Sequence, residues 1–173
     1  MKGDNLPSPS QVISLYKFHN IKKLRLFYPY ANALSALKNS GIEVILGTYN
    51  EDLQSLAGDT STTTSWVHTN VAPYASAVDF WCIDVGNEVI PDDSANYVLP
   101  AMRNIASALH AAGFNILIST DVLTEVLGTS YPPLWWSTVA VKGGGQQWPE
   151  VVASGGGGGG QQMEVADKGL QCP

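Results

Sequence analysis

Apolar and polar positions follow two periods along this chain, one helical and one extended. Val12, Leu15 and Tyr16 recur at helical spacing behind Ser8-Pro9-Ser10-Gln11. There Ser8 reads as an N-cap, Pro9 as a first helical residue that misses no N–H, and Gln11 as the far side of a capping box. Asn20 suits a left-handed stop, and residues 21–27 follow as a strand that ends at Tyr28-Pro29-Tyr30. A second helix over 31–39 turns Leu34 and Leu37 inward and stops at Gly41. Residues 42–46 are then almost entirely apolar, as in a parallel strand covered on both faces. Asn50 is placed to cap a short helix over 51–57, and another helix around 64–71 stops before Pro73.

The most strongly patterned stretch is Phe80-Trp81-Cys82-Ile83-Asp84-Val85-Gly86-Asn87-Glu88-Val89. Its aromatic and β-branched content predicts a buried strand over 80–85, with Gly86 turning the backbone before Asn87 and Glu88. A helix over 94–112 carries Val98, Ala101, Ile105, Ala108, Leu109 and Ala112 on one face, kinked or split at Pro100. Gly113 stops it, and 116–120 is a fourth strand. Helices alternating with apolar strands imply parallel strands joined by right-handed crossovers, in an α/β fold. An arc of a barrel and a doubly wound open sheet fit that order equally. In either, chemistry collects where strands end, which puts Glu88 at a chemically active edge or, on the plainer reading, in solvent at the head of a loop.

Composition narrows the partners. The 173 residues, 45% apolar, suit one ordinary domain. A net charge of -6 argues against nucleic acid or an anionic membrane surface and leaves a neutral polymer compatible. Cys82 reads as a small buried hydrophobe, and with only Cys172 besides it there is no disulfide framework. His19, His68 and His110 stand far apart, so neither a metal site nor a cofactor is expected. Met1-Lys2-Gly3-Asp4-Asn5 lacks the apolar core of a signal peptide, and no run reaches membrane-spanning length.

Val85-Gly86-Asn87-Glu88-Val89 resembles the Gly-Asn-Glu signature at the end of the fourth barrel strand in plant endo-1,3-β-glucanases, glycoside hydrolase family 17. Asn5-Leu6-Pro7-Ser8-Pro9-Ser10, the 42–47 strand, 97–105 and Leu127-Gly128-Thr129-Ser130-Tyr131-Pro132-Pro133 resemble the same family in the same order. The resemblance implies a partial TIM (β/α)8 barrel over 1–133, roughly strands two to five, followed by a Gly/Gln-rich linker-like tail over 134–173. It implies retaining hydrolysis of internal β-1,3-glucan linkages, with Glu88 as general acid/base and Asn87 at the sugar's 2-hydroxyl. An acid working near neutrality is kept protonated by burial and a nearby carboxylate, so partial burial is expected at Glu88.

The family's nucleophile motif, a Ser-Glu-Ser-Gly-Trp-Pro-like stretch, has no counterpart here, since Trp148-Pro149-Glu150 shares only a Trp-Pro pair. The expectation is therefore a truncated, weak or inactive member, with a non-catalytic glucan-binding or regulatory fragment as the alternative. Tyr28, a candidate substrate contact, stands where many relatives carry an acid, and Asp121 and Glu125 where they carry small residues. Family members are extracellular or vacuolar, and open strand edges would favour self-association. Trp135, Trp136 and Trp148 read as exposed aromatics of the tail, and its glycine runs lack the ending of a phosphate loop.

Overall fold

The computed structural model describes residues 6–90 and 92–123; the motif over 127–133, Glu125 and the tail lie outside them. The elements are α1 (Pro9–Phe18), β1 (Lys23–Leu26), α2 (Ala31–Leu37), β2 (Glu43–Gly47), a 3-10 turn (Asn50–Asp52), α3 (Leu53–Gly58), α4 (Thr60–Asn70), β3 (Asp79–Ile90), α5 (Ala95–Ala111) and β4 (Leu117–Val122). The four strands form one parallel sheet in the order β1-β2-β3-β4. A doubly wound sheet reverses its strand order at a switch point, and these four strands show no reversal. The α/β architecture is thus that of a barrel wall.

Local chemistry accounts for the element boundaries. Ser8 Oγ accepts from the Gln11 N–H and Gln11 Oε1 accepts from the Ser8 N–H at 2.8 Å, closing the capping box. α1 buries Ile13, and Tyr16 half-buries beside it, while Leu15 is exposed. Two residues on from Ile13 is roughly 200° around a helix, so Leu15 cannot share the inward stripe expected for it. α4 begins at Thr60, four residues earlier than its apolar pattern suggests, because the Asp59 carboxylate accepts from the Ser61 and Thr62 N–H groups at 2.9 and 3.2 Å. Bonds from Thr62 and Ser61 hold that carboxyl down to about 2. Pro100 neither splits nor ends α5. It removes one backbone bond on an exposed flank, while Val98, Ala101, Ile105 and Leu109 hold the helix on the core.

The helices cover one face of the sheet. Leu46, Ile83 and Val85 face Leu34, Leu53, Leu56, Ile105 and Leu109 in the main cluster, and Val44 joins Ile13, Leu37 and Ile42 in a smaller one. Cys82 is buried, as its apolar surroundings in the sequence suggest. Side chains alternate along a strand, so Arg25, Ile45, Asp84 and Ser119 project from the other face, which no described element covers.

Candidate active site

β3 does not end at Gly86. It runs on to Ile90, whose carbonyl accepts from Leu123 N–H at 3.2 Å, with its register against β4 slipping between Asp84 and Asn87 and again between Asn87 and Ile90. Two left-handed residues cause this irregularity, Gly86 at φ 79° and Glu88 at φ 54°. A Cβ at Gly86 would meet Val89 Cγ2 at 3.0 Å and Leu53 Cδ1 at 3.2 Å, so both its backbone and its packing require glycine. For Glu88 the conformation costs on the order of 1 kcal/mol or more, and such strain persists only where neighbours impose it.

The neighbours are specific. Gly86 N–H donates to Thr48 Oγ1 at 3.0 Å, and Thr120 Oγ1 donates to Val85 O at 2.8 Å, tying β3 to both flanking strands. Asn50 donates from Nδ2 to Asn87 O at 3.0 Å and accepts the Asn87 N–H on Oδ1 at 2.8 Å. Asn50 is therefore not the helix cap its sequence position suggested: its amide is committed to Asn87 and makes no capping bond.

Arg25 supports the same residue from β1. Its Nη2 donates to Asn87 Oδ1 at 3.1 Å and pairs with Asp84, while Nη1 pairs with Asp121. Gly47, in register with Asp84, presents no side chain to Arg25 as it crosses from β1 over β2. One guanidinium faces two carboxylates, so the group carries an excess negative charge. Burial, and then the neighbouring Asp121, push the Asp84 carboxyl up to about 7, against the opposing pull of Arg25. Asp84 Oδ1 and Arg25 Nε are buried with no hydrogen-bond partner among the described residues.

Glu88 is exposed, so the described residues do not supply the burial expected of it. Tyr28 follows β1 and stacks on Tyr49, which follows β2, with ring centroids 4.9 Å apart and planes 15° apart. Tyr49 immediately precedes Asn50, so the aromatic pair and the Asn87 clamp share one connection. Asn87, Glu88 and Tyr28 thus all lie where the strands run out toward their C-terminal ends. Sequence pattern alone singled out neither Arg25 nor Asp84, and it read Asn50 as a helix cap only. The usable signal was a charge in each of two strands with otherwise apolar neighbours.

Sheet order, crossovers and placement of polar groups define a (β/α)-barrel segment carrying its polar site at the strand ends. The chain belongs to the glycosyl hydrolases family 17, which it matches over residues 1–142. It is 55% identical over 133 residues to a Hordeum vulgare protein provisionally assigned as glucan endo-1,3-beta-glucosidase GVI, covering 77% of this chain and 41% of that one. It is 52% identical over 137 residues to the glucan endo-1,3-beta-glucosidase of Vitis vinifera, covering 76% of this chain and 40% of that protein. CJP38, a beta-1,3-glucanase and allergen of Cryptomeria japonica pollen, superposes with a TM-score of 0.73 at 42% identity, over 77% of this chain and 43% of that structure. These structural neighbours are TIM barrels, and the chain spans about two fifths of the length of the relatives it matches.

Proposed function

We propose that this chain is the acid/base-bearing portion of a β-1,3-glucan endohydrolase, with Glu88 as the general acid/base and Asn87 and Tyr28 as sugar contacts. The observation that carries the reading is the left-handed Glu88 backbone beside an Asn87 clamped by Asn50, on a strand tied down by Thr48 and Thr120 in a family 17 chain. Such restraint places a reacting carboxylate more accurately than a free loop would.

Retaining cleavage needs a second carboxyl about 5 to 5.5 Å from the first. Among the described residues, Asp84 and Asp121 of the same cluster are both committed to Arg25, which makes neither a free nucleophile. The 173-residue chain therefore turns glucan over weakly or not at all by itself. Purified protein and Glu88→Gln, assayed for reducing ends released from laminarin, should give matching near-background rates. Robust turnover that disappears in the variant would overturn the weak-activity claim and leave the acid/base role standing.

The exposed Tyr28–Tyr49 pair favours a second reading, a glucan-binding fragment without catalysis, since aromatic faces suit pyranose rings. Saturable laminarin binding by calorimetry in the absence of hydrolysis supports it. In either reading the partner is a neutral β-1,3-glucan in an extracellular or vacuolar setting, and the edges that β1 and β4 leave unpaired among the described residues favour self-association.

A further inference from the structure

Asn87 has four hydrogen-bonding groups, and three are taken. Asn50 holds the backbone N–H and C=O at 2.8 and 3.0 Å, and Arg25 Nη2 holds the side-chain Oδ1 at 3.1 Å. Both amide orientations are forced by chemistry. A guanidinium has only donors, so it must face the carbonyl oxygen of Asn87, and the Asn87 N–H must face an acceptor on Asn50. Asn87 Nδ2 has no partner among the described residues, so both its hydrogens are left to bind something else.

We propose that Arg25 and Asn50 are positioning residues that present Asn87 as a donor, aiming its Nδ2 hydrogens at an acceptor oxygen of a β-1,3-linked glucose unit, with Asp84 and Asp121 anchoring Arg25. The proposal rests on the glucan reading above and adds the direction of the hydrogen bond and the residues that impose it. Arg25 comes from β1, its anchors from β3 and β4, and Asn50 from the connection after β2, so Asn87 is held from both sides of its own strand. Among the described residues, the charged groups facing Asp84 are Arg25 and Asp121.

The test uses the ¹⁵N-labelled chain and a β-1,3-linked glucose hexamer. The Asn87 Nδ2 resonances, identified by their loss in Asn87→Asp, should shift as hexamer is added. Asn87→Asp keeps an acceptor for Arg25 and loses both donors, so it should retain the fold and bind about tenfold more weakly or worse. Arg25→Lys loses the planar fork whose two Nη atoms reach Asp121 on one side and Asp84 and Asn87 on the other, and Asn50→Ala removes the backbone clamp. Each should weaken binding by about tenfold while backbone signals far from the site stay put. Asn50 is exposed, so its variant serves if Arg25→Lys does not fold. Without hexamer, the Nδ2 resonances should move with a midpoint near the Asp84 value of about 7 and hold still in Asp84→Asn, and hexamer affinity should follow the same titration, which a cluster serving only the fold would leave unmoved.

Hexamer binding that leaves the Asn87 Nδ2 signals unmoved, or wild-type affinity in both positioning variants, would overturn the proposal while the glucan reading survives. A hexamer that perturbs no resonance of the native chain would remove both.

Discussion

The two faces of the sheet obey opposite rules. Against the helices, Leu46, Ile83 and Val85 are fully buried among apolar side chains, and their energetics reduce to surface removed from water and to packing. On the other face Arg25 meets Asp84 and Asp121, Lys23 pairs with Glu43 at 3.1 Å and sits 4.4 Å from the Trp81 ring centre, and Leu117 keeps 40% of its surface exposed. One face makes the sheet stable. The other carries the charged groups, and its stability depends on charge balance and therefore on pH.

The largest expected effect comes from equal truncations on the two faces. Leu46→Ala should cost about 2 to 5 kcal/mol, because a fully buried side chain leaves a cavity in a packed cluster. Leu117→Ala removes the same atoms from the open face and should cost under about 1 kcal/mol. Urea midpoints for the two proteins measure this directly. Equal losses would mean that the open face is packed against other parts of the chain.

That asymmetry explains how much was legible beforehand. The helix-covered face was readable because Val44, Leu46, Ile83 and Val85 sit in apolar runs, and such runs specify buried strands whatever lies beyond them. The α/β alternation, the Asn20 stop and the Ser8 capping box were equally plain. The start of α4 was not, since Asp59 acts through its carboxylate rather than through apolar spacing. The clamp was hidden for a different reason. Asn50 and Asn87 are 37 positions apart, as are the two ends of their paired hydrogen bonds, and only the register of β2 against β3 brings them together. An amide ahead of Glu51 therefore looked like a helix cap.

The next effect separates the faces by pH. The Asp84 carboxyl binds its proton up to about 7 in the fold, against an ordinary value of 3.8. Between those values the folded chain holds a proton that the unfolded chain has released. Its stabilising contribution is therefore complete below about pH 4 and lost as pH rises through 7, by up to about 4 kcal/mol. Asp84→Asn should abolish that decline, so variant and wild-type stabilities, followed by urea unfolding from pH 4 to 8, should diverge as pH rises. Parallel curves would show that Arg25 neutralises both acids and that the open face carries no excess charge. Leu46→Ala, by contrast, should lose the same stability at every pH.

The smallest effect tests where the faces meet. A Cβ on Gly47 would lie 2.4 Å from the Phe27 carbonyl oxygen and 2.7 Å from its carbon, far inside contact distance, and the obstacle is backbone rather than a side chain that could swing away. Gly47→Ala must therefore separate the ends of β1 and β2, at a cost of about 1 to 3 kcal/mol. Gly47 pairs with Asp84 and lies on the route of Arg25 across the sheet, and Thr48, the next residue, accepts the Gly86 N–H. The separation should reach the site as well as the fold. Amide spectra should show shifts at Gly86 and Asn87 exceeding those in α1 or α5, together with the modest loss of urea resistance. Shifts confined to β1 and β2 would mean that the clamp at Asn87 adjusts independently of the strand spacing beneath it.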